Sequence, residues 1–305
     1  MSGSVLFLVL LQAAAPGHNA DSIEILLSHG DYHEALLELE RRPATEKATG
    51  QWHLLASKAY DGLDQPKQAV AEAEAALAAD PRQEPYYLQL GQIFVSRNTP
   101  SAALEIFDDA LRLFPGSLLI LLGRGVALMN LGRYEEAEKD FGTCLARKPN
   151  LGIAFESLET IYLQTSRPEE AETAARQYQS RNPADYRSYY FLAAAQDGLH
   201  RADIQGESTA LAQALSLKPD YAPAKVLLAK ISYRNGDTSK ALRLLEDAVS
   251  KRPDYAPAHV ELAILYRRLG RKDDAARESQ LLQRLSDQRP PALTYHRGNA
   301  HAEQP

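Results

Sequence analysis

The sequence predicts an all-α chain made by stacking helical hairpins, and three observations predict it. Apolar residues recur at helical spacing: within residues 118–152, Leu119, Leu122, Val126 and Met129 form one series. After a break at Leu131, Gly132 and Arg133, a second series of Tyr134, Ala137, Phe141, Cys144 and Leu145 begins. Prolines punctuate the chain almost evenly. Pro81, Pro115, Pro149 and Pro183 lie 34 residues apart, Pro219 follows after 36 and Pro253 after 34. Each closes a unit, because proline cannot continue a helix and pushes the preceding residue out of the helical region. Small residues keep register with the prolines, at Ala35, Ala69, Ala103, Ala137, Ala171, Ala241 and Ala275, and seven positions later at Ala76, Ala110, Cys144, Ala214 and Ala248. Such slots let two helices approach closely. One hairpin cannot hide its own apolar face, so each unit needs neighbours.

Taken in order, residues 1–15 hold an apolar run from Val5 to Leu11 followed by Ala13, Ala14 and Ala15. The run suits the core of an export signal and is too short to span a bilayer. Export to a periplasm or secretion is the expectation, although no Lys or Arg precedes the run and Pro16 follows the likeliest cut. The alternatives are a hydrophobic N-terminal helix docked on the first repeat, in a cytoplasmic protein, or a membrane anchor. Any membrane association is expected only through residues 5–15. The solenoid covers 16–289 as eight repeats: 16–49, 50–83, 84–117, 118–151, 152–185, 186–221, 222–255 and 256–289. The first is degenerate, with a second helix opened by Gly30 and Asp31 and ended early by Arg41, Arg42 and Pro43. The second and third are regular, with Pro66 and Pro100 tolerated in a first helical turn. The fourth and fifth follow the pattern most closely. In the sixth, two inserted residues predict a bulged turn or a delayed second helix around 199–207, and the last two return to register. Residues 290–305 are polar and aperiodic, which predicts a disordered tail.

Between the small slots lies an apolar one, filled by Leu39, Ala73, Phe107, Phe141, Leu211 and Leu245, while Tyr60, Phe94, Tyr162 and Tyr266 repeat in the first helices. This resembles the W-x2-L-G-x2-Y…A-x3-F…P pattern of the tetratricopeptide repeat over nearly the whole chain. The resemblance implies a right-handed α-α superhelical solenoid whose first helices line a concave, peptide-binding groove. It implies a non-enzymatic scaffold without cofactors. The alternatives it leaves are a component of a cell-envelope assembly or secretion machine, and a cytoplasmic regulatory or co-chaperone adaptor. The carboxylate clamp of chaperone-tail binders is missing: its slots hold Leu54/Lys58, Leu88/Gln92, Leu122/Val126, Glu156/Thr160 and Val226/Lys230.

Composition narrows the partners. Net charge is -6 and the 34 Lys and Arg residues are spread along 305 positions, so no basic footprint points to nucleic acid. The single cysteine, Cys144, occupies a small packing slot. No HExxH, GxGxxG, Walker-type, GxSxG or CxxC motif is present. His29 and His33 have metal-pair spacing but straddle a turn, so no metal site is expected. His53 and His259 share the slot of Tyr87, Leu121, Phe155 and Tyr189 and read as packing residues.

The expected groove contributors follow from their slots in each first helix. They are Leu88, Gln92 and Val95 in the third repeat and Leu122, Val126 and Met129 in the fourth. Next come Thr160 and Leu163 beside Glu156 in the fifth, and Tyr190 in the sixth. Lys230, Tyr233 and Arg234 come from the seventh, and Ile264, Arg267 and Arg268 from the eighth. The middle is apolar and the C-terminal end basic. The expected partner is a protein or peptide, in the sharper form an amphipathic helix whose acidic end meets Lys230, Arg234, Arg267 and Arg268.

Overall fold

The computed structural model describes residues 22–199 and 204–287. The expectations for residues 1–15 and for the tail at 290–305 lie outside the described residues. Within them the chain is all-α, with seventeen helices and no strand. Two helices, α1 (Ser22–His29) and α2 (Tyr32–Glu40), form the first hairpin, and a single turn, α3 (Ala44–Lys47), follows. Regular hairpins come next: α4 (Gly50–Gly62) with α5 (Pro66–Ala79), α6 (Glu84–Ser96) with α7 (Pro100–Leu113), and α8 (Leu118–Asn130) with α9 (Tyr134–Arg147). The remainder are α10 (Gly152–Gln164) with α11 (Pro168–Arg181), α12 (Tyr186–Gly198) with α13 (Ile204–Leu217), α14 (Ala222–Arg234) with α15 (Thr238–Lys251), and α16 (Ala256–Arg268) with α17 (Lys272–Asp287). None of these helices is long and apolar enough to cross a membrane. The chain divides into two compact units, the first reaching Cys144 and the second beginning at Leu145.

Local chemistry explains where helices start and stop. Thr49, Ser117, Asp185 and Asp237 cap first or second helices by accepting a backbone N–H from Trp52, Ile120, Arg187 and Lys240. Pro66, Pro100 and Pro168 open second helices, where the missing N–H is not needed. Seven of the hairpins turn through one left-handed residue in a fixed slot. Gly30, Gly132, Gly236 and Gly270 fill it in four hairpins, and Asp64, Asn98 and Ser166 in three. Glycine adopts that conformation freely, whereas a side chain there is strained. Three residues separate the two helices of the regular hairpins, as at 131–133. In the sixth hairpin five do, 199–203, so the two-residue insertion delays α13.

A second recurring device joins one hairpin to the next. Tyr87 and Tyr189 donate their hydroxyls to the carbonyls of Pro81 and Pro183, each at 3.1 Å. His259 makes the equivalent contact from Nε2 to the Pro253 carbonyl at 2.9 Å. The histidine therefore sits in a tyrosine slot because either ring presents a polar tip six residues back. Its Nδ1 faces Glu278 at 2.6 Å, and His53 faces Glu72 at 2.7 Å in the same relation.

Inside the hairpins, volume is traded across the interface. A Cβ on Gly91 would run into the Phe107 ring, and one on Gly125 would lie 2.7 Å from the Phe141 ring. Both phenylalanines are fully buried, as are Ala137 and Cys144. Between these layers the first unit also buries charge. Arg124 forms a two-pronged pair with Asp140 at 2.7 and 2.8 Å and reaches Asp108 at 3.1 Å. Planar, doubly bonded pairs of this kind hold geometry as well as charge.

Candidate functional site

In the second unit, α14 and α16 lie side by side, and their i, i+3, i+4 spacing sets Lys230, Tyr233 and Arg234 beside Ile264 and Arg268. These five side chains wall a recess of about 190 Å³. Its floor is apolar, made by Ala229, Ala241, Leu245 and Leu265, and Glu261 stands at its edge. Drug-sized ligands occupy roughly 300–1,000 Å³. The recess is therefore large enough for one or two side chains and too small for a large cofactor.

The charges around it are unequal. Arg234 is already engaged, with Asp197 at 2.6 Å and the buried Glu207 at 3.4 Å. Arg234, expected from the sequence to meet the ligand's acidic end, lines the recess, but its charge is shared with α12 and α13 and ties them to α14. Arg267 turns back onto its own helix, donating from Nε to the Ala263 carbonyl at 3.2 Å, and does not line the recess. Arg268 lies over the Tyr233 ring, 5.1 Å from its centroid, a cation–π contact that fixes its direction. Lys230 and Arg268 are exposed and form no ion pair among the described residues. Those two supply the positive charge that remains, partly offset by Glu261.

Further along the same unit, Thr160 is bonded to the Glu156 carbonyl at 2.9 Å, Leu163 is exposed and Tyr190 is half-buried. Burial lifts the Glu156 carboxyl to about 7; Asp185 adds to the shift and Arg187 works against it. The Asp185 carboxyl is held below its usual range even though burial pushes the other way. Arg187 and the Tyr178 hydroxyl, 2.7 Å away, outweigh that burial.

The first unit is different. Leu88, Gln92, Val95, Leu122, Val126 and Met129 are all buried. The apolar floor expected there is hence not an open surface, and these side chains have little area to present to a ligand. Gln92 is unusual among them, since neither end of its buried amide has a hydrogen-bond partner.

Known proteins match the repeats and the fold of this chain. Residues 54–117 and 88–150 fit one family model described as Tetratricopeptide repeat, and residues 232–297 fit another of the same description, together just over half of the chain. The chain is a tetratricopeptide-repeat protein. Human Superkiller complex protein 3 is 30% identical over 189 residues, covering 60% of this chain and 12% of the relative. The chain thus spans about an eighth of that relative's length. A tetratricopeptide repeat protein from Parabacteroides merdae has a similar fold, with a TM-score of 0.64 at 18% identity over 77% of this chain and 93% of the other. Yeast Tom70 superposes with a TM-score of 0.68 at 16% identity, over 93% of this chain and 65% of the other. At these identities the structural likeness speaks for the tetratricopeptide fold alone.

Of the groove residues expected from the sequence, Lys230, Tyr233, Ile264 and Arg268 lie together around the recess; Glu159, Tyr186, Tyr221 and Tyr255 were not among those expected. For Glu159 a signal existed. Its slot holds Ser57, Gly91, Gly125, Ala193, Ala229 and Ala263 in other repeats, so a carboxylate there breaks a small-residue rule.

Proposed function

We propose that the chain is a non-enzymatic scaffold that holds a partner polypeptide along the first helices of its second unit. An acidic end of the ligand, on an amphipathic helix or a short peptide, enters the recess between α14 and α16. The tetratricopeptide fold supports protein–protein interaction in general. The observation that carries the finer reading is the pair of exposed cations, Lys230 and Arg268, that form no ion pair among the described residues and stand over an apolar floor of one- or two-side-chain size. A carboxylate there gains charge-assisted hydrogen bonds while its apolar neighbours cover Ile264 and Leu265. The name of the human relative places that protein in a complex, which agrees with a scaffolding role here. Export through residues 5–15 is the part of this reading carried by sequence alone, and sequencing the N-terminus of the mature chain tests it.

The binding test is fluorescence anisotropy with an amphipathic helical peptide ending in glutamates, against the same peptide ending in glutamines. The double change Lys230→Ala/Arg268→Ala is expected to weaken the acidic peptide about tenfold, or about 1.4 kcal/mol. Raising salt from about 50 to about 500 mM shortens the screening length and should remove most of the difference. Equal affinity for both peptides, unaffected by salt and by the double change, would refute the basic-recess assignment.

A further inference from the structure

Glu159 is 3% exposed, and its Oε1 is buried without a hydrogen-bond partner. Removing a carboxylate from water with nothing to bond is expensive, so such a group is kept neutral or awaits a counter-charge. Glu156 stands one turn earlier on the same face of α10. Within electrostatic reach of this pair is a cluster of tyrosine rings from the sixth repeat. Tyr190 on α12 meets Tyr221, at the N-cap of α14, edge to face at 5.3 Å. Tyr186 meets Tyr221 at 4.8 Å.

Charge in this neighbourhood is not balanced. The base that acts electrostatically on Glu156, Arg187, is committed to Asp185 through Nε at 2.9 Å and Nη2 at 2.7 Å. Glu156 is within electrostatic reach of Arg187 and Asp185, and of the hydroxyls of Tyr178, Tyr186, Tyr190, Tyr221 and Tyr255. Glu159 is within reach of Glu156, Tyr190 and Tyr221. Burial, and then Glu156, push the Glu159 carboxyl well above the usual range. Burial likewise raises the phenols of Tyr190 and Tyr221, so they stay protonated near neutrality.

We propose that Glu156, Glu159 and the rings of Tyr190 and Tyr221 form a subsite for a cationic side chain, the guanidinium or ammonium of an arginine or lysine on a partner polypeptide. A cation there gives two desolvated carboxylates the charge-assisted partner that Arg187 does not supply. It also meets aromatic rings whose faces attract positive charge. An anion is repelled, and a neutral group gains neither interaction. The subsite rests on the scaffold reading for the source of its ligand, but on its own residues for its chemistry. If both hold, the ligand is bipolar, with its acidic end at α14–α16 and a basic residue near α10–α12.

Acetyl-arginine amide, titrated into the full chain and followed by tyrosine fluorescence, tests this directly, with acetyl-citrulline amide as the neutral isostere. The arginine probe is expected to saturate and the citrulline probe to give no saturable change. Binding should tighten between about pH 6 and pH 8, because the carboxyls must surrender protons to hold a cation. Glu159→Gln and Glu156→Gln keep size and shape, and each should weaken the arginine probe at least about tenfold, with circular dichroism confirming the fold. Equal response to both probes, or unchanged arginine affinity in both variants, overturns the proposal and leaves Glu159 as a neutral filler. Lys230→Ala/Arg268→Ala should not affect this titration. In the unaltered chain, failure to prefer the acidic peptide while the arginine probe saturates sinks only the recess, and the reverse sinks only this subsite.

Discussion

Leu122 and Glu156 occupy the same slot one repeat apart, and so do Gly125 and Glu159, yet they belong to opposite kinds of surface. In the first unit, glycine admits a phenylalanine ring from the second helix, and the neighbouring first-helix slots are apolar and buried. In the second, the pair matching Gly125 and Phe141 is Glu159 and Ala175: the large residue has moved to the first helix and is charged. The backbone plan is unchanged. What differs is which helix of the hairpin carries the bulk, and with it whether the first-helix face is apolar or able to hold charge.

The largest way to break this comparison is Gly125→Leu, which drives a side chain into the Phe141 ring. It should cost about 3 kcal/mol or more in chemical denaturation. An unchanged midpoint would refute the assigned packing. Sharper is the exchange Glu159→Gly with Ala175→Phe, which rewrites the fifth hairpin in the manner of the fourth. The pair is expected to be more stable than the sum of the single changes by about 1–3 kcal/mol in a double-mutant cycle. Additive behaviour would show that the two slots do not share space.

A third prediction uses pH. Glu156 and Glu159 have folded values above their ordinary 4.5, so the folded state holds more protons than the unfolded state between the two. The stability they contribute is fully present below about 4.5 and is lost as pH rises through about 7 for Glu156. Asp185 acts with the opposite sign, but only below its ordinary 3.8. Melting followed from pH 5 to pH 8 should therefore decline. Glu159→Gln should flatten the curve and raise stability at pH 8 by about 1–2 kcal/mol, since a neutral amide is less costly to bury than an unpaired carboxylate. The smallest effect is expected at the turn slot. Ser166→Gly should stabilise by about 1 kcal/mol and Gly132→Ala destabilise by a similar amount, because only glycine enters the left-handed region without strain.

Much of the fold was legible because its signals are local and repeated. Prolines, small slots and the aromatic of each first helix recur with one period, so an error in one repeat is corrected by the next. The site was less legible, for two physical reasons. Slot position tells which face a residue occupies, but not whether another group already neutralises it, as Asp197 and Glu207 do for Arg234. Nor does periodicity reveal partners contributed by helix caps. Tyr221 and Tyr255 precede their helices and escape a search confined to helical slots, although both lie within electrostatic reach of Glu156. Glu159, by contrast, was visible as an exception to its column.

The reach of Tyr87, Tyr189 and His259 back to a proline carbonyl works as a ruler between consecutive hairpins. Lengthening that junction would pull the ring tip off its acceptor, so extra residues are poorly tolerated there. The turn inside a hairpin carries no such measure, and the natural two-residue insertion falls in just that place, between Leu199 and Ile204. New loops, tags or reporter segments grafted onto this chain therefore belong at that position, where length can grow without disturbing the spacing of its neighbours.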